Sequence, residues 1–246
     1  MEQNSPDHPL SGERPRASSV LREYLEALLI AVLFATFART FVFQAFKIPT
    51  GSMEQNLLIG DHILVNKFVY GGTVGAPLKW ILPQREIRRG DILVFKYPED
   101  PVRDFIKRCV GLPGDEVSVV DKELYLNGIQ VEDNSYVHHS DPNTYPNSVF
   151  LDHSPRFRDN FGPYTVPDSH FFCMGDNRDN SHDSRFWGAV PETSVKGRAF
   201  MIYWSLEPGA QPSRAAGLIG AVRGMGAAAV RFFTDTRWSR TLRIVR

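Results

Sequence analysis

The strongest hydrophobic signal in the chain lies at residues 27–46, ALLIAVLFATFARTFVFQAF, where Arg39 is the only charged residue. Twenty residues in a helix extend roughly 30 Å, which matches the hydrocarbon core of a bilayer. The pattern favours an uncleaved transmembrane helix over residues 23–46. Two other interpretations stay open: a signal peptide cleaved after a poor small-x-small site ending at Ala38, and a buried core helix, although the run lacks the polar face of such a helix.

The residues before this run predict its orientation. Residues 1–22 are polar, contain proline and serine, and lack apolar periodicity, which predicts a disordered leader. Arg14, Arg16 and Arg22 precede the run, and arginine is enriched on the cytoplasmic side of membrane spans. We therefore expect a single-pass protein of the inner (plasma) membrane, with a cytoplasmic leader and an extracytoplasmic domain.

Beyond the run, short stretches that alternate in polarity or stay apolar predict β-strands. They lie at residues 61–70, 91–96, 105–110, 123–131, 170–174 and 199–204. Asn127-Gly128 stands between two short apolar runs and predicts a two-residue hairpin turn. The predicted fold class is mainly β: a twisted antiparallel sheet domain over residues 47–206, with a less regular insert around residues 120–168.

The C-terminal extension, residues 207–246, is rich in glycine and alanine and ends in a basic stretch. Between residues 209 and 246 there are seven arginines and one acid, Asp235. Arg223 interrupts the apolar part, so a second membrane span is not predicted. The extension is either solvated or weakly helical, or it contacts anionic lipid headgroups.

The composition narrows the possible functions. The 28 basic and 28 acidic residues give no net charge, which argues against a nucleic-acid-binding protein. Cys109 and Cys173 are too few for a disulfide framework, and no C-x-x-C or H-E-x-x-H pattern indicates a zinc site. The two cysteines are either buried thiols or, if their Cα atoms lie within about 7 Å, a single disulfide. A Ser-His-Asp triad stays open, because spacing alone does not exclude one.

Three segments carry candidate chemistry. Residues 48–53, IPTGSM, follow the apolar run, and their proline and glycine can present Ser52 at a fixed height above a membrane. Residues 104–108, DFIKR, place Lys107 on the same strand face as two apolar residues. Residues 175–185, GDNRDNSHDSR, are dense in turn formers and paired charges. Taken singly, each segment has an ordinary interpretation: a loop serine, a surface lysine and a polar turn.

Together, these segments and their surroundings resemble the bacterial type I signal peptidases (leader peptidases), membrane-anchored serine proteases with a Ser/Lys dyad. The similarity covers about residues 45–125 and 164–205. It is carried by IPTGSM at 48–53, GDHILVNKFVYG at 60–71, RGDILVFKYPEDPVRDFIKRCVGLPGD at 89–115 and MGDNRDNSHDSRFWGAVP at 174–191, with RWSR at 237–240. The resemblance implies an endopeptidase that removes N-terminal signal peptides from exported preproteins after small-x-small sites.

The resemblance also implies a role for each matching residue. Ser52 matches the nucleophile, Lys107 the general base, and Ser181 the hydroxyl that orients the lysine amine. The oxyanion hole would consist of the Ser52 N–H and the hydroxyl of Thr50, where the family usually has serine. Residues that match structural ion pairs are Arg108, Asp176, Asp183 and Arg185, and those that match substrate pockets are Phe46, Ile48, Met53, Leu57, Phe105 and Ile106.

The chain departs from the family pattern directly after the nucleophile. Where Met-x-Pro-Thr-Leu is common, residues 53–57 are MEQNL, so the pocket wall is less well predicted than the dyad. Some relatives have two membrane spans, whereas one is predicted here.

The implied chemistry fits these residue types. A serine hydroxyl needs a base to become a nucleophile, and lysine, with an ordinary pKa of about 10.4, is a base only when it is neutral. Apolar neighbours would lower that pKa to around 7–8. No metal or organic cofactor is required, and the expected partners are preprotein signal peptides, the lipid bilayer and the protein-export machinery.

Two rival functions remain at this point. A self-cleaving Ser/Lys protease of the repressor type would need a DNA-binding segment upstream, where residues 1–46 offer a membrane span. A non-catalytic membrane-anchored β-domain that binds peptides would not need intact Ser52, Lys107 and Ser181.

Overall fold

The computed structural model describes residues 17–37, 39, 42–70, 84–146, 157–208 and 232–245. Most of the predicted leader lies outside these residues, as do residues 147–156 of the insert and 209–231 of the C-terminal extension. The chain forms two units, Met1–Thr40 and Phe41–Arg246. The first contains helix α1, Ala17–Phe37, and the second contains the sheets.

Helix α1 differs from the predicted membrane helix at both ends. It begins at Ala17 and ends at Phe37, so Arg22 joins Glu23 and Glu26, which the predicted helix also contains, as a charged residue of the helix. Within the described part of the chain, no helix has both the length and the apolar character that crossing a bilayer requires. Residues 43–46, predicted to belong to the same helix, lie in a strand instead.

Strand pairing explains why residues 43–46 are not helical. They belong to β1, Phe43–Lys47, which pairs antiparallel with β2, Asp61–Asn66, so that Phe46 lies opposite Ile63. Along β1 the residues alternate between exposed and half-buried, and Phe46 packs against the core. A short apolar run is compatible with either a helix or a strand, and here the contacts with β2 decide.

The prediction of a mainly β fold built from antiparallel sheets is confirmed. The further strands, in chain order, are β3 (Ile92–Tyr97), β4 (Asp100–Gly111), β5 (Glu116–Val120), β6 (Glu123–Leu126), β7 (Ile129–Gln130), β8 (Phe161–Thr165), β9 (His170–Met174), β10 (Val190–Pro191), β11 (Val195–Ser205) and β12 (Arg243–Ile244). The larger sheet has the order β1-β2-β11-β3-β4-β9-β10, with β12 also paired to β11. The smaller sheet has the order β7-β6-β5-β8.

The insert around residues 120–168 is more regular than predicted, because most of the smaller sheet lies in it. Asn127 and Gly128 form the turn between β6 and β7, with φ angles of 53° and 77°. Positive φ at both residues is what a two-residue hairpin turn of this type requires. Strand β8 has no clear sequence signal because it contains Pro163, a residue tolerated only at a sheet edge, and β8 is an edge strand.

A hydrophobic core on the larger sheet includes residues of the first candidate segment, 48–53. Its fully buried members include Met53, Leu57, Ile63 and Val65. Burial of each such side chain contributes roughly 1.5–3 kcal/mol relative to leaving it exposed. The segment that carries Ser52 is therefore fixed to this core by its own apolar residues, among them Met53.

Candidate active site

Ser52 lies in a loop whose two ends are held together by the sheet. The Ile48 N–H donates to the Asp61 carbonyl at 2.8 Å, and the Gly60 N–H donates to the Ile48 carbonyl at 3.0 Å. Between these ends, Gly51–Met53 form one 3-10 turn in which all three residues are buried. Ser52 is thus presented on a closed loop rather than on a mobile connection.

Lys107 reaches Ser52 from strand β4. Its Nζ lies 2.7 Å from Ser52 Oγ, within hydrogen-bonding distance. The two side chains are almost inaccessible to water: Lys107 is 4% exposed and Ser52 6%. Lys107 lies opposite Leu93 of β3, and its Nζ is 5.4 Å from the centre of the Phe105 ring, so two of its neighbours are apolar.

Burial of the Lys107 side chain determines the protonation of its amine. Burial lowers the pKa of Lys107 to about 8, because the charged ammonium loses its hydration there. The negative charge of Asp183 opposes this shift but does not cancel it. A substantial fraction of the amine is therefore neutral near pH 8 and can accept a proton from Ser52.

The third segment packs directly against the other two. The Asn177 N–H donates to the Ser52 carbonyl at 3.1 Å. Ser181 lines the same groove as Lys107 and is 7% exposed, and its hydroxyl helps to lower the pKa of Asp183. Three segments that are distant in sequence, around residues 52, 107 and 177, thus meet at one site.

Gly175 lets these segments approach each other so closely. A Cβ at this position would lie 2.5 Å from the Ser52 carbonyl oxygen and closer still to the Ser181 hydroxyl. The sequence alone indicates only a turn at Gly175, because one of the residues that exclude a side chain, Ser52, is remote in the chain.

Substitution Gly175→Ala is therefore expected to displace Ser52 and Ser181 and to lower kcat by about 10²-fold, the cost of a misplacement of about 1 Å. The measurement is steady-state cleavage of a model preprotein. Gly114→Ala is the control, because its Cβ would meet nothing within 4 Å. That variant should lose only roughly 1–2 kcal/mol of stability through its positive φ and keep its activity. Equal activities of both variants would contradict the packing role of Gly175.

Two buried ion pairs surround the dyad. Arg108, next to Lys107, donates from Nε and Nη2 to Asp176 at 2.8 and 2.7 Å. Arg185 donates to Asp183 from the same two nitrogens, both at 2.9 Å. Burial alone raises the pKa of Asp183, but Arg185 and the Gly175 N–H outweigh it and hold the pKa below its usual value. All four side chains are at most 3% exposed, so each charge depends on its partner.

Sequence reasoning missed a third buried pair. Arg178 donates from Nη2 to Asp133 at 2.6 Å and from Nε to the Gly175 carbonyl at 3.2 Å. The sequence draws attention to Arg178, because it lies in the third candidate segment, but no motif or pattern singles out Asp133. The pair ties the insert to the segment that contains Gly175.

The C-terminal RWSR motif also contacts the loop that carries Ser52. Arg240 donates from Nη2 to Asp61 at 2.6 Å and to the Asn56 carbonyl at 2.9 Å. Burial raises the pKa of Asp61, but hydrogen bonds from Arg240 and Ser205 outweigh it and lower the pKa. Part of the predicted extension is therefore packed against the catalytic domain rather than solvated.

An open groove of about 430 Å³ runs along the site. Its lining is formed by Pro49, Thr50, Ser52, Asp104, Phe105, Ile106, Lys107, Arg158, Asp179, Asn180, Ser181, His182 and Phe186. Among the predicted pocket residues, Phe105 and Ile106 line this groove. Phe46, Ile48, Met53 and Leu57 instead belong to the core below it or pack against that core, so their contact with substrate stays a prediction.

The comparison with known proteins places this site in a family. A model of the family described as signal peptidase, peptidase S26, matches residues 21–204. Signal peptidase I of Pseudomonas fluorescens is 36% identical over 217 residues, 78% of this chain and 76% of that protein. Signal peptidase I of Pseudomonas aeruginosa is 35% identical over 82% of this chain and 78% of that protein. Signal peptidase I of Aquifex aeolicus is 34% identical over 75% of this chain and 85% of that protein. The matched region contains all three segments of the site.

Proposed function

Because this chain belongs to the signal peptidase family, peptidase S26, we propose that it is a serine endopeptidase that removes signal peptides from preproteins, with Ser52 as nucleophile and Lys107 as general base. The observation that carries the proposal is the 2.7 Å contact between Lys107 Nζ and Ser52 Oγ, both buried. A hydroxyl and an amine at this distance are within reach of direct proton transfer.

The reaction then follows from the dyad. The neutral amine takes the Ser52 proton as Oγ attacks the scissile carbonyl. The resulting ammonium returns the proton to the departing amine, which releases the mature protein and leaves the signal peptide as an ester on Ser52. The neutral amine next deprotonates a water molecule that hydrolyses the ester. Lysine needs no third residue to select a tautomer, in contrast to histidine.

We assign the oxyanion hole to the Ser52 N–H and the Thr50 hydroxyl. Thr50 is exposed, has an extended backbone (φ −131°, ψ 157°) and lines the groove two residues before the nucleophile. A hydroxyl there can donate to the oxygen that gains negative charge in the tetrahedral intermediate.

Thr50→Ala is expected to lower kcat by about 10²–10³-fold, the usual cost of losing one oxyanion donor. Thr50→Ser keeps the hydroxyl and should keep most of the activity. Steady-state kinetics with a model preprotein measure both effects. Large and similar losses in the two variants would show that side-chain shape matters there, and the donor role would be wrong.

The substrate is proposed to bind as an additional strand along β4. Arg108–Gly111 of β4 pair with β9, but residues 104–107 pair only with β3 among the described strands. The free edge lies beside the groove, where an extended peptide can form main-chain hydrogen bonds. Phe105 and Ile106 would contact small apolar side chains on the signal-peptide side of the scissile bond.

The proposed location is a membrane, with the domain after residue 46 on the extracytoplasmic side. This rests on the surface of α1, where large apolar side chains such as Leu28 and Phe34 are 60% and 71% exposed. It also rests on the arginines that precede the apolar run. The bilayer and the export machinery would be the partners at that location.

Protease added outside intact spheroplasts is expected to digest the domain after residue 46, because that domain would lie outside the membrane. Immunoblotting with an antibody against the domain measures the digestion, and a cytoplasmic protein serves as the control for intact cells. Full protection of the domain would contradict the orientation.

The function itself is tested with the full chain in detergent and a model preprotein. We expect cleavage after a small-x-small site, identified by N-terminal sequencing of the product, and no cleavage by Ser52→Ala. Absence of cleavage by the folded protein would favour a peptide-binding domain without catalysis. Cleavage that persists in Ser52→Ala would place the nucleophile elsewhere.

A further inference from the structure

The two cysteines of the chain lie opposite each other on neighbouring strands. Cys109 of β4 is the direct partner of Cys173 of β9 in the antiparallel register. Both side chains are completely buried, and the Cys109 thiol is near enough to Cys173 to raise its pKa. The Cys109 thiol itself donates to the Gly111 carbonyl at 3.6 Å. Neither cysteine belongs to the proposed catalytic machinery, although Cys109 follows Lys107 by two residues and Cys173 precedes Gly175 by two.

The main-chain hydrogen bonds show which kind of pair this is. The Cys109 N–H donates to the Asp91 carbonyl, and the Cys109 carbonyl accepts from the Gly90 N–H, both at 2.8 Å. Both groups of Cys109 therefore point towards residues 90 and 91, which lead into β3, and away from β9. The Cys173 N–H donates to Ser184 Oγ at 3.0 Å. The cysteines thus form a non-hydrogen-bonded pair, in which Cα atoms lie about 4.5 Å apart and side chains approach most closely.

We propose that Cys109 and Cys173 form a disulfide bond in the mature protein. Cys109 and Cys173 are direct partners in the ladder, whose register shifts only after Cys109. The Cα separation typical of such a pair, about 4.5 Å, falls within the range that disulfides span. The proposal rests on the proposed extracytoplasmic location, where disulfides persist. The two thiols lose two protons and two electrons to a disulfide oxidant, which is reduced to two thiols.

The burial of the pair indicates when the bond forms. Burial, and then the neighbouring Cys109, raises the pKa of the Cys173 thiol, so the reactive thiolate is scarce in the folded domain. The bond would therefore form during folding, before β9 closes over β4, and would afterwards be shielded from reductants.

The bond would connect the strand of the general base to the strand that leads into Gly175. The chain between the two cysteines contains the whole smaller sheet, β5 to β8. Closing a loop of this length is expected to raise the melting temperature by roughly 10 °C, chiefly by restricting the unfolded chain. Activity at 25 °C should change less than about twofold, because the dyad geometry is present with free thiols as well.

Two preparations of the full chain test the proposal. The first is refolded in detergent with oxidised glutathione, and the second is purified from membranes without reductant; both are then alkylated under denaturing conditions and digested. We expect one linked peptide pair containing Cys109 and Cys173 in both preparations. Alkylated thiols or glutathione adducts at both positions in the refolded protein would overturn the geometry, and alkylated thiols in the membrane preparation would overturn its formation in cells.

Thermal melts provide the second measurement. The melting temperature of the wild type should fall by roughly 10 °C when it is reduced, whereas that of a Cys109→Val, Cys173→Val double variant should not respond to reductant. An unchanged melting temperature of the reduced wild type would overturn the stabilising role without relying on any variant. Lys107→Ala should form the same bond, so a failure of the disulfide and a failure of the proposed catalysis can be told apart.

Discussion

Replacement of Lys107 by alanine is expected to abolish cleavage, with a loss of about 10⁴-fold or more, as when the base of another serine protease is removed. Lys107→Arg should be equally inactive, because a guanidinium stays protonated at any workable pH. The fold should persist in Lys107→Ala, since burying an amine costs stability rather than supplying it. Activity is measured by cleavage of a model preprotein, and folding by circular dichroism.

Lys96→Ala is the matched control for this series. Lys96 lies on the neighbouring strand β3, is exposed, and should be dispensable for activity. Lys107→His should keep at most a trace of activity, because imidazole is neutral near pH 7 but shorter. Ser181→Ala should be milder than Lys107→Ala, because it would remove only the hydroxyl that the family resemblance predicts to orient the amine. An active Lys107→Arg protein, free of host protease, would refute the assignment of the base.

The same amine predicts the pH dependence of the wild type. With a pKa of about 8, only about one tenth of Lys107 is neutral at pH 7. The value of kcat/KM should therefore rise about tenfold per pH unit below pH 8 and level off above it.

Substitution Asp183→Asn is expected to have two large effects. It leaves the buried Arg185 without its counter-charge, so the free energy of unfolding should fall by about 3–5 kcal/mol. It also removes the charge that most strongly raises the pKa of Lys107, and the uncompensated Arg185 lowers that pKa further. The acid limb of the pH–rate profile should consequently move to lower pH.

Urea unfolding and pH-dependent kinetics measure these two effects on one protein. Asp100→Asn is the control, because Asp100 is 42% exposed in its pair with Arg103 and should affect neither. An acid limb that stays in place or moves to higher pH in Asp183→Asn would contradict the coupling between Asp183 and Lys107.

Strand and turn positions were predictable where neighbouring residues in the sequence alone determine the structure. The strand predicted at residues 170–174 coincides with β9, and the Asn127-Gly128 turn lies where the hairpin signal placed it. Residues 43–46 were predicted wrongly as helix, because an apolar run without alternation does not distinguish a helix from a strand. The pairing partner that decides, β2, lies elsewhere in the chain.

Candidate residues were predictable for a different reason. Ser52, Lys107 and Ser181 lie in segments whose sequences resemble those of the type I signal peptidases, and that resemblance predicted their roles. Gly175 and Asp133 could not be assigned in this way. The first matters because Ser52 and Ser181 leave no room for a Cβ, and the second because Arg178 is buried against it. Ser52 is remote in sequence from Gly175, and Arg178 is remote in sequence from Asp133.

The sequence by itself determined the antiparallel β class, the hairpin turn and the residue types available for Ser/Lys chemistry, because strand periodicity and turn preferences act over a few residues. Only the tertiary structure decided that Lys107 Nζ meets Ser52 Oγ with both side chains buried, and that Cys109 faces Cys173. Burial is a property of the packed sheets, and it lowers the pKa of Lys107 to about 8. The sequence therefore supplies the lysine, and its burial between the packed strands lowers its pKa so that it can act as a base.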